Sequence, residues 1–144
     1  PAAGGQPTPP HQDGFYFKLN PPHALTMWMA LEDVDEENGC VRYVKGSHRK
    51  GMREHGRSGT LGFSQGMTDF GRQEDLAAEE AMPAAPGDLL AHHALTIHRA
   101  EGNLSATRSR RALGFIFYSI DAREDLLAEE AYRRELVRQQ QGKI

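Results

Sequence analysis

Cysteine is almost absent from this sequence: Cys40 stands alone, so a disulfide framework is excluded. No apolar run approaches the roughly 18 residues that a membrane-spanning helix needs. The N-terminus is polar and holds four prolines and two glycines within residues 1–10, which is unlike a signal peptide. An excess of positive charge is missing too. Seventeen Lys and Arg face twenty Asp and Glu, for a formal net charge of -3. Binding of nucleic acid through bulk charge is thereby excluded, although a local basic patch is not. There is no internal repeat and no low-complexity tract. The expectation is a cytoplasmic chain with no membrane segment and no nucleic-acid partner. Its 144 residues suffice for one domain with its own core. An initiator methionine is also lacking, and the expectation from this is a processed or partial chain.

What is present is a series of short apolar runs with turns between them. Residues 1–10 form an extended lead-in. Residues 14–19, with Phe15, Tyr16 and Phe17, read as a strand. Residues 25–31 alternate, placing Thr26, Trp28 and Ala30 on one face and Leu25, Met27, Met29 and Leu31 on the other. Asn38-Gly39 signals a turn before a strand at 40–44. Residues 46–71 contain seven glycines and no sustained period, and read as one flexible, lid-like segment. A short helix, or a strand leading into the next turn, fits 73–81. Residues 89–98 read as a strand. Residues 110–119 read as the clearest strand, apolar on both faces and therefore buried. Asp121 and Glu124 form a capping-box pattern that opens a C-terminal helix over 123–141. The pattern predicts a mainly β fold, a β-sandwich or jelly roll, with one terminal helix.

His11-Gln12-Asp13 is the first chemical signal. In an extended segment residues i and i+2 share a face, so an imidazole and a carboxylate can converge on one point. A third neutral imidazole would complete a face of two histidines and one carboxylate, with three positions open on an octahedral Fe(II). By itself the tripeptide is weak, and a surface histidine beside a capping aspartate is its ordinary reading. His98 is the best third ligand, with His92 and His93 as competitors that read more simply as pocket lining. His23, His48 and His55 read as exposed or locally hydrogen-bonded. In Arg108-Ser109-Arg110-Arg111, a guanidinium fork is suited to gripping a carboxylate, although basic residues at a strand entrance also stay solvated.

The blocks HQDGFYFKL, LTMWMALEDVDEENGCVRYVKGSH, GDLLAHHALTIHRAEGN and RRALGFIFY, in this order, resemble the phytanoyl-CoA dioxygenase family over about residues 5 to 119. The resemblance implies a double-stranded β-helix (a cupin-like jelly roll) with His11, Asp13 and His98 as iron ligands. It implies Fe(II), 2-oxoglutarate and O2 as cofactor and cosubstrates, and hydroxylation of a small molecule with release of succinate and CO2. Arg110 matches the arginine that clamps 2-oxoglutarate, and Arg108 competes because the spacing from His98 is one residue longer than usual. Trp28 matches an aromatic beside the cosubstrate. Asn38-Gly39 and Asn103 match structural positions. Lys45 and Ala100 depart from the family pattern, and Ala100 removes one cosubstrate hydrogen bond. Asp13 separates the chain from related halogenases, in which a small residue replaces the carboxylate.

The resemblance also implies a region before His11 that ten residues do not supply. The expectation is a jelly roll incomplete at its N-terminus, its exposed edges covered by a homo-oligomer or its chain a fragment. The basic residues Arg42, Lys45, Arg49, Lys50, Arg53 and Arg57 suggest an anionic substrate, with a solvated loop as the equal alternative. Two further readings stand beside the oxygenase. One is a catalytically silent jelly-roll metal-binding or scaffold module, and the other a zinc hydrolase on the same ligands.

Overall fold

The computed structural model describes residues 2–60 and 63–141. Two antiparallel sheets carry the jelly-roll architecture. One has the strand order β1 (Thr8–His11), β9 (His98–Ala100), β4 (Val41–Val44) and β7 (Glu79–Met82). The other has the order β10 (Ala112–Tyr118), β3 (Ala24–Ala30) and β8 (Leu89–His93). Between them, Ala30, Val34, Cys40 and Ala84 form a buried cluster, with Trp28 and Ala81 packed against it.

Strand β3 follows its alternating sequence. It pairs with β10 so that Ile116, Gly114 and Ala112 lie opposite Thr26, Trp28 and Ala30. Opposed residues in an antiparallel pair share a face. The other face of β10 is not the buried surface that its composition suggests. Phe117 is 55% exposed and Leu113 46%, and among the described strands β10 pairs with β3 alone. An apolar sequence supplies material for a second layer, but only tertiary contacts decide whether a layer covers it.

Three segments differ from their sequence reading. Residues 14–17 form a helix, α1 (Gly14–Phe17), which ends at Lys18 in the left-handed region (φ 49) before the short β2 (Leu19–Asn20). The helical turn sends its aromatics to separate sites: Phe15 stacks on His55, and the Tyr16 hydroxyl donates to the Gln65 carbonyl at 2.5 Å. Packing thus overrides β propensity. Residues 89–98 are not one strand. The chain turns after His93 and crosses to the opposite sheet, where His98 opens β9. The segment at 46–71 is largely ordered into a 3-10 turn at Ser47–Lys50 and a hairpin of β5 (His55–Thr60) and β6 (Phe63–Met67). Leu61 and Gly62, within the lid reading, lie outside the described residues. The hairpin rests on β1 through Gly66, where a Cβ would stand 3.4 Å from that of Pro9.

Residues 73–81 divide between the two readings: α2 (Gln73–Ala78) gives way directly to the strand β7. The terminal helix α3 (Leu126–Gln141) begins later than the Asp121–Glu124 pattern implies. Arg123 and Glu124 pair with β2 as β11 (Arg123–Glu124), and Asp125 caps the helix by accepting from the Ala128 amide at 3.0 Å. Asp121 instead faces His23 at 3.2 Å. No described helix is long and apolar enough to cross a membrane.

Candidate metal centre

β1 delivers His11 as the register partner of His98 on β9, and Tyr43 on β4 is the partner of His98 on its other side. The rings of His11 and His98 stand 4.1 Å apart between centroids. Asp13, just past the end of β1, turns back so that its Oδ1 lies 3.4 Å from His11 Nε2 and 3.5 Å from His98 Nε2. One donor atom from each of the three falls within 4.8 Å of the others, a spacing one metal ion can bridge. The two backbone carbonyls that orient the imidazoles are local. His11 Nδ1 donates to the Pro9 carbonyl at 2.8 Å, and His98 Nδ1 donates to that of Thr96 at 3.0 Å. Both Nε2 atoms are thereby left as lone-pair donors.

Gln12, between two of these residues, points the other way and is fully buried. Its Nε2 donates to the carbonyls of Leu95 (2.7 Å) and Gly51 (3.0 Å), and its Oε1 accepts from the Arg53 amide (2.8 Å). The alternation that sends His11 and Asp13 inward thus sends Gln12 into the chain crossover before His98. The His55 ring accepts from the Gln12 amide at 3.1 Å. His55 is therefore tied to the site from the hairpin, a role its loop position did not suggest.

Charge is strongly biased here. Burial opposes ionisation of Asp13, but the hydrogen bonds from His92 and Thr26, with the imidazoles of His11 and His98 close by, hold its carboxyl well below the usual carboxylate range. Burial, reinforced by His11 and His92, pushes His98 down to about 3. At neutral pH the centre presents a carboxylate and a neutral His98, the forms that bind a metal.

A cavity of about 210 Å³ opens beside this centre, lined among others by Thr8, Trp28, Tyr43, His92 and Arg110. Arg110 is buried, and its Nη1 has no hydrogen-bond partner among the described residues. Burial pushes its guanidinium down from its ordinary value, so an anion in the cavity would relieve a real cost. The loop before it is pinned by two buried amides: Asn103 donates to the Arg108 carbonyl (2.7 Å) and Asn38 to that of Ser109 (3.1 Å). Gly39 is required beside them, because at φ 82 a Cβ would lie 2.4 Å from the Glu101 carbonyl oxygen.

Arg108 does not enter the cavity. Its guanidinium reaches Asp35 (2.9 Å) and Glu37 (2.6 Å), so of the two arginines read as clamps Arg110 is the one that lines the cavity. Arg111 pairs with Glu32. The basic cluster is likewise mostly engaged: Arg42 with Glu79, Lys45 with Glu80, Lys50 with Glu74, and Arg53 with Asp69 and Asp75. Acidic partners on α2 and β7, together with Asp69, absorb much of the charge that suggested an anionic substrate.

Three contributors escaped the sequence reading. The Thr26 hydroxyl donates to Asp13 Oδ2 at 2.5 Å, Tyr43 reaches His92, and Thr8 lines the cavity. Thr26 shares a face with Trp28, which was a usable signal. Thr8 and Tyr43 had none.

A family model described as Phytanoyl-CoA dioxygenase matches residues 1–112. "Phytanoyl-CoA dioxygenase 1" of Oryza sativa subsp. japonica is 33% identical over 116 residues, spanning 78% of this chain and 39% of that protein. Among solved structures, EvdO2 from Micromonospora carbonacea var. aurantiaca complexed with 2-oxoglutarate is similar at a TM-score of 0.70 and 28% identity, over 88% of this chain and 50% of that one. The epimerase SnoN in complex with Fe3+, alpha ketoglutarate and nogalamycin RO is similar at 0.66 and 31%, over 83% and 44%. The chain thus spans half the length, or less, of these proteins.

Proposed function

This chain belongs to the phytanoyl-CoA dioxygenase family, and from that premise we propose that it is the metal-bearing part of an Fe(II)- and 2-oxoglutarate-dependent oxygenase that hydroxylates a small molecule. The observation that carries the proposal is the convergence of His11, Asp13 and His98 next to a cavity in which Nη1 of the buried Arg110 has no hydrogen-bond partner among the described residues. Two imidazoles and one carboxylate suit Fe(II) and leave open positions for a chelating cosubstrate. The unpartnered Nη1 suits the far carboxylate of 2-oxoglutarate, which a guanidinium grips in its own plane.

Bound iron, 2-oxoglutarate and O2 together supply an oxidant that takes hydrogen from a C–H bond, with release of succinate and CO2. The chain's own residues have separate tasks. His11, Asp13 and His98 hold the ion, Arg110 anchors the cosubstrate, and Trp28 walls the cavity beside it. Retention of the Asp13 carboxylate favours hydroxylation over halogenation.

Anaerobic titration with Fe(II) and 2-oxoglutarate tests this reading. A weak visible charge-transfer band that requires both additions is the expected result. Tight metal binding without the band supports a silent metal-binding module instead, and activity with Zn(II) and no 2-oxoglutarate supports the hydrolase.

A further inference from the structure

His92 was the weaker candidate for the metal, yet it contacts the carboxylate of Asp13 directly. It comes from β8, on the sheet opposite His98, and is buried. Its Nε2 lies 3.0 Å from Asp13 Oδ2, and its Nδ1 lies 2.8 Å from the Tyr43 hydroxyl. The protons follow from the partners. An ionised carboxylate only accepts, so His92 Nε2 must carry a hydrogen. The phenol of Tyr43 is protonated at neutral pH and donates to Nδ1, which fixes that tautomer. Thr26 Oγ1 donates to the same Oδ2 at 2.5 Å. The two carboxylate oxygens are therefore divided: Oδ2 takes two donors, and Oδ1 alone faces the Nε2 atoms of His11 and His98.

Resting on the metal-site reading above, we infer that His92, held by Tyr43, is a positioning residue that confines Asp13 to single-oxygen ligation. A bidentate Asp13 would fill a position that a chelating cosubstrate and O2 need. With Oδ2 occupied by His92 and Thr26, Asp13 can offer only Oδ1. His92 is thereby a hydrogen-bond donor to the ligand set and not a fourth ligand.

The test uses the whole chain and Co(II) as probe, with affinity from chelator competition and the number of oxygen and nitrogen neighbours from X-ray absorption. Removing such a donor costs roughly 10- to 100-fold in metal affinity. His92→Phe is expected to weaken Co(II) binding by about that factor and add one oxygen neighbour. His92→Gln, which keeps an N–H donor, is expected to recover most of the affinity and the original coordination. Should His92→Phe fail to fold, Thr26→Val interrogates the same oxygen and is expected to shift both readouts in the same direction. Co(II) binding by the unsubstituted chain with no change in His92→Phe overturns the assignment and leaves the metal site standing. Loss of a nitrogen neighbour in His92→Phe overturns it in favour of direct ligation. Failure of the unsubstituted chain to bind Co(II) overturns the metal site and the inference together.

Discussion

His11 and His98 face one another as register partners across the antiparallel pair of β1 and β9, their ring centroids 4.1 Å apart. Opposed side chains in such a pair are held by the backbone ladder, so the two imidazoles are fixed before any ligand arrives. The third donor, Asp13, has no ladder of its own and depends on Thr26 and His92 for its orientation.

The three donors form one ligand set, which yields a first prediction. His98→Ala and Asp13→Ala should each lower Fe(II) affinity by at least about 100-fold, measured by anaerobic calorimetry, given the ligand count such ions demand. Asp13→Gly should abolish hydroxylation of the true substrate. Undiminished turnover in that variant would refute the ligand assignment.

Arg110 and Arg108 should separate cleanly. The sequence has one tryptophan, Trp28, and it lines the cavity, so its fluorescence should report 2-oxoglutarate binding to the metal-loaded chain. Arg110→Lys should weaken binding at least about 10-fold, because an ammonium cannot reproduce the two parallel hydrogen bonds of the guanidinium. Arg108→Ala, which removes contacts to Asp35 and Glu37, should change it by less than about threefold. Equal losses in the two variants contradict the assignment.

Gln12→Ala should destabilise the fold without altering a ligand. It strands the carbonyls of Leu95 and Gly51 and the amide of Arg53 in a buried crossover. A loss of about 2–4 kcal/mol in urea unfolding is expected, from roughly 1–3 kcal/mol for each unsatisfied buried group with partial relaxation. Retained stability would mean that water replaces the amide.

Acid should unfold the metal-free chain earlier than a surface-charge balance suggests. His98 is held at about 3, against an ordinary 6.5, and Asp13 lies below its ordinary value. Between pH 6.5 and about 3 the unfolded chain therefore binds more protons at His98 than the folded one, and stability rises with pH. Asp13 acts with the same sign at lower pH. The urea midpoint should fall steadily on acidification through this window, and His98→Ala should flatten the slope. A midpoint independent of pH would contradict the buried, neutral state of His98.

Local order in the sequence was enough for some of this molecule. Strict alternation in 25–31 set the faces of β3, because side chains on a strand point to opposite sides in turn. The same rule put His11 and Asp13 on one side and Gln12 on the other. Asn38-Gly39 marked a turn that only a glycine can make. Tertiary structure decided the rest. Packing against His55 and Gln65 turned an aromatic run into α1, and a chain crossover split 89–98 between two sheets. That crossover brought His92 and His98 to within 4.3 Å between ring centroids from opposite sides. Acidic residues on distant elements neutralised most of the basic cluster, and Arg108 was drawn to Asp35 and Glu37 while Arg110 was left in the cavity. The division has one physical reason. Direction along a strand is set by backbone geometry within a few residues, whereas partners and burial depend on atoms that are neighbours only after the chain has folded.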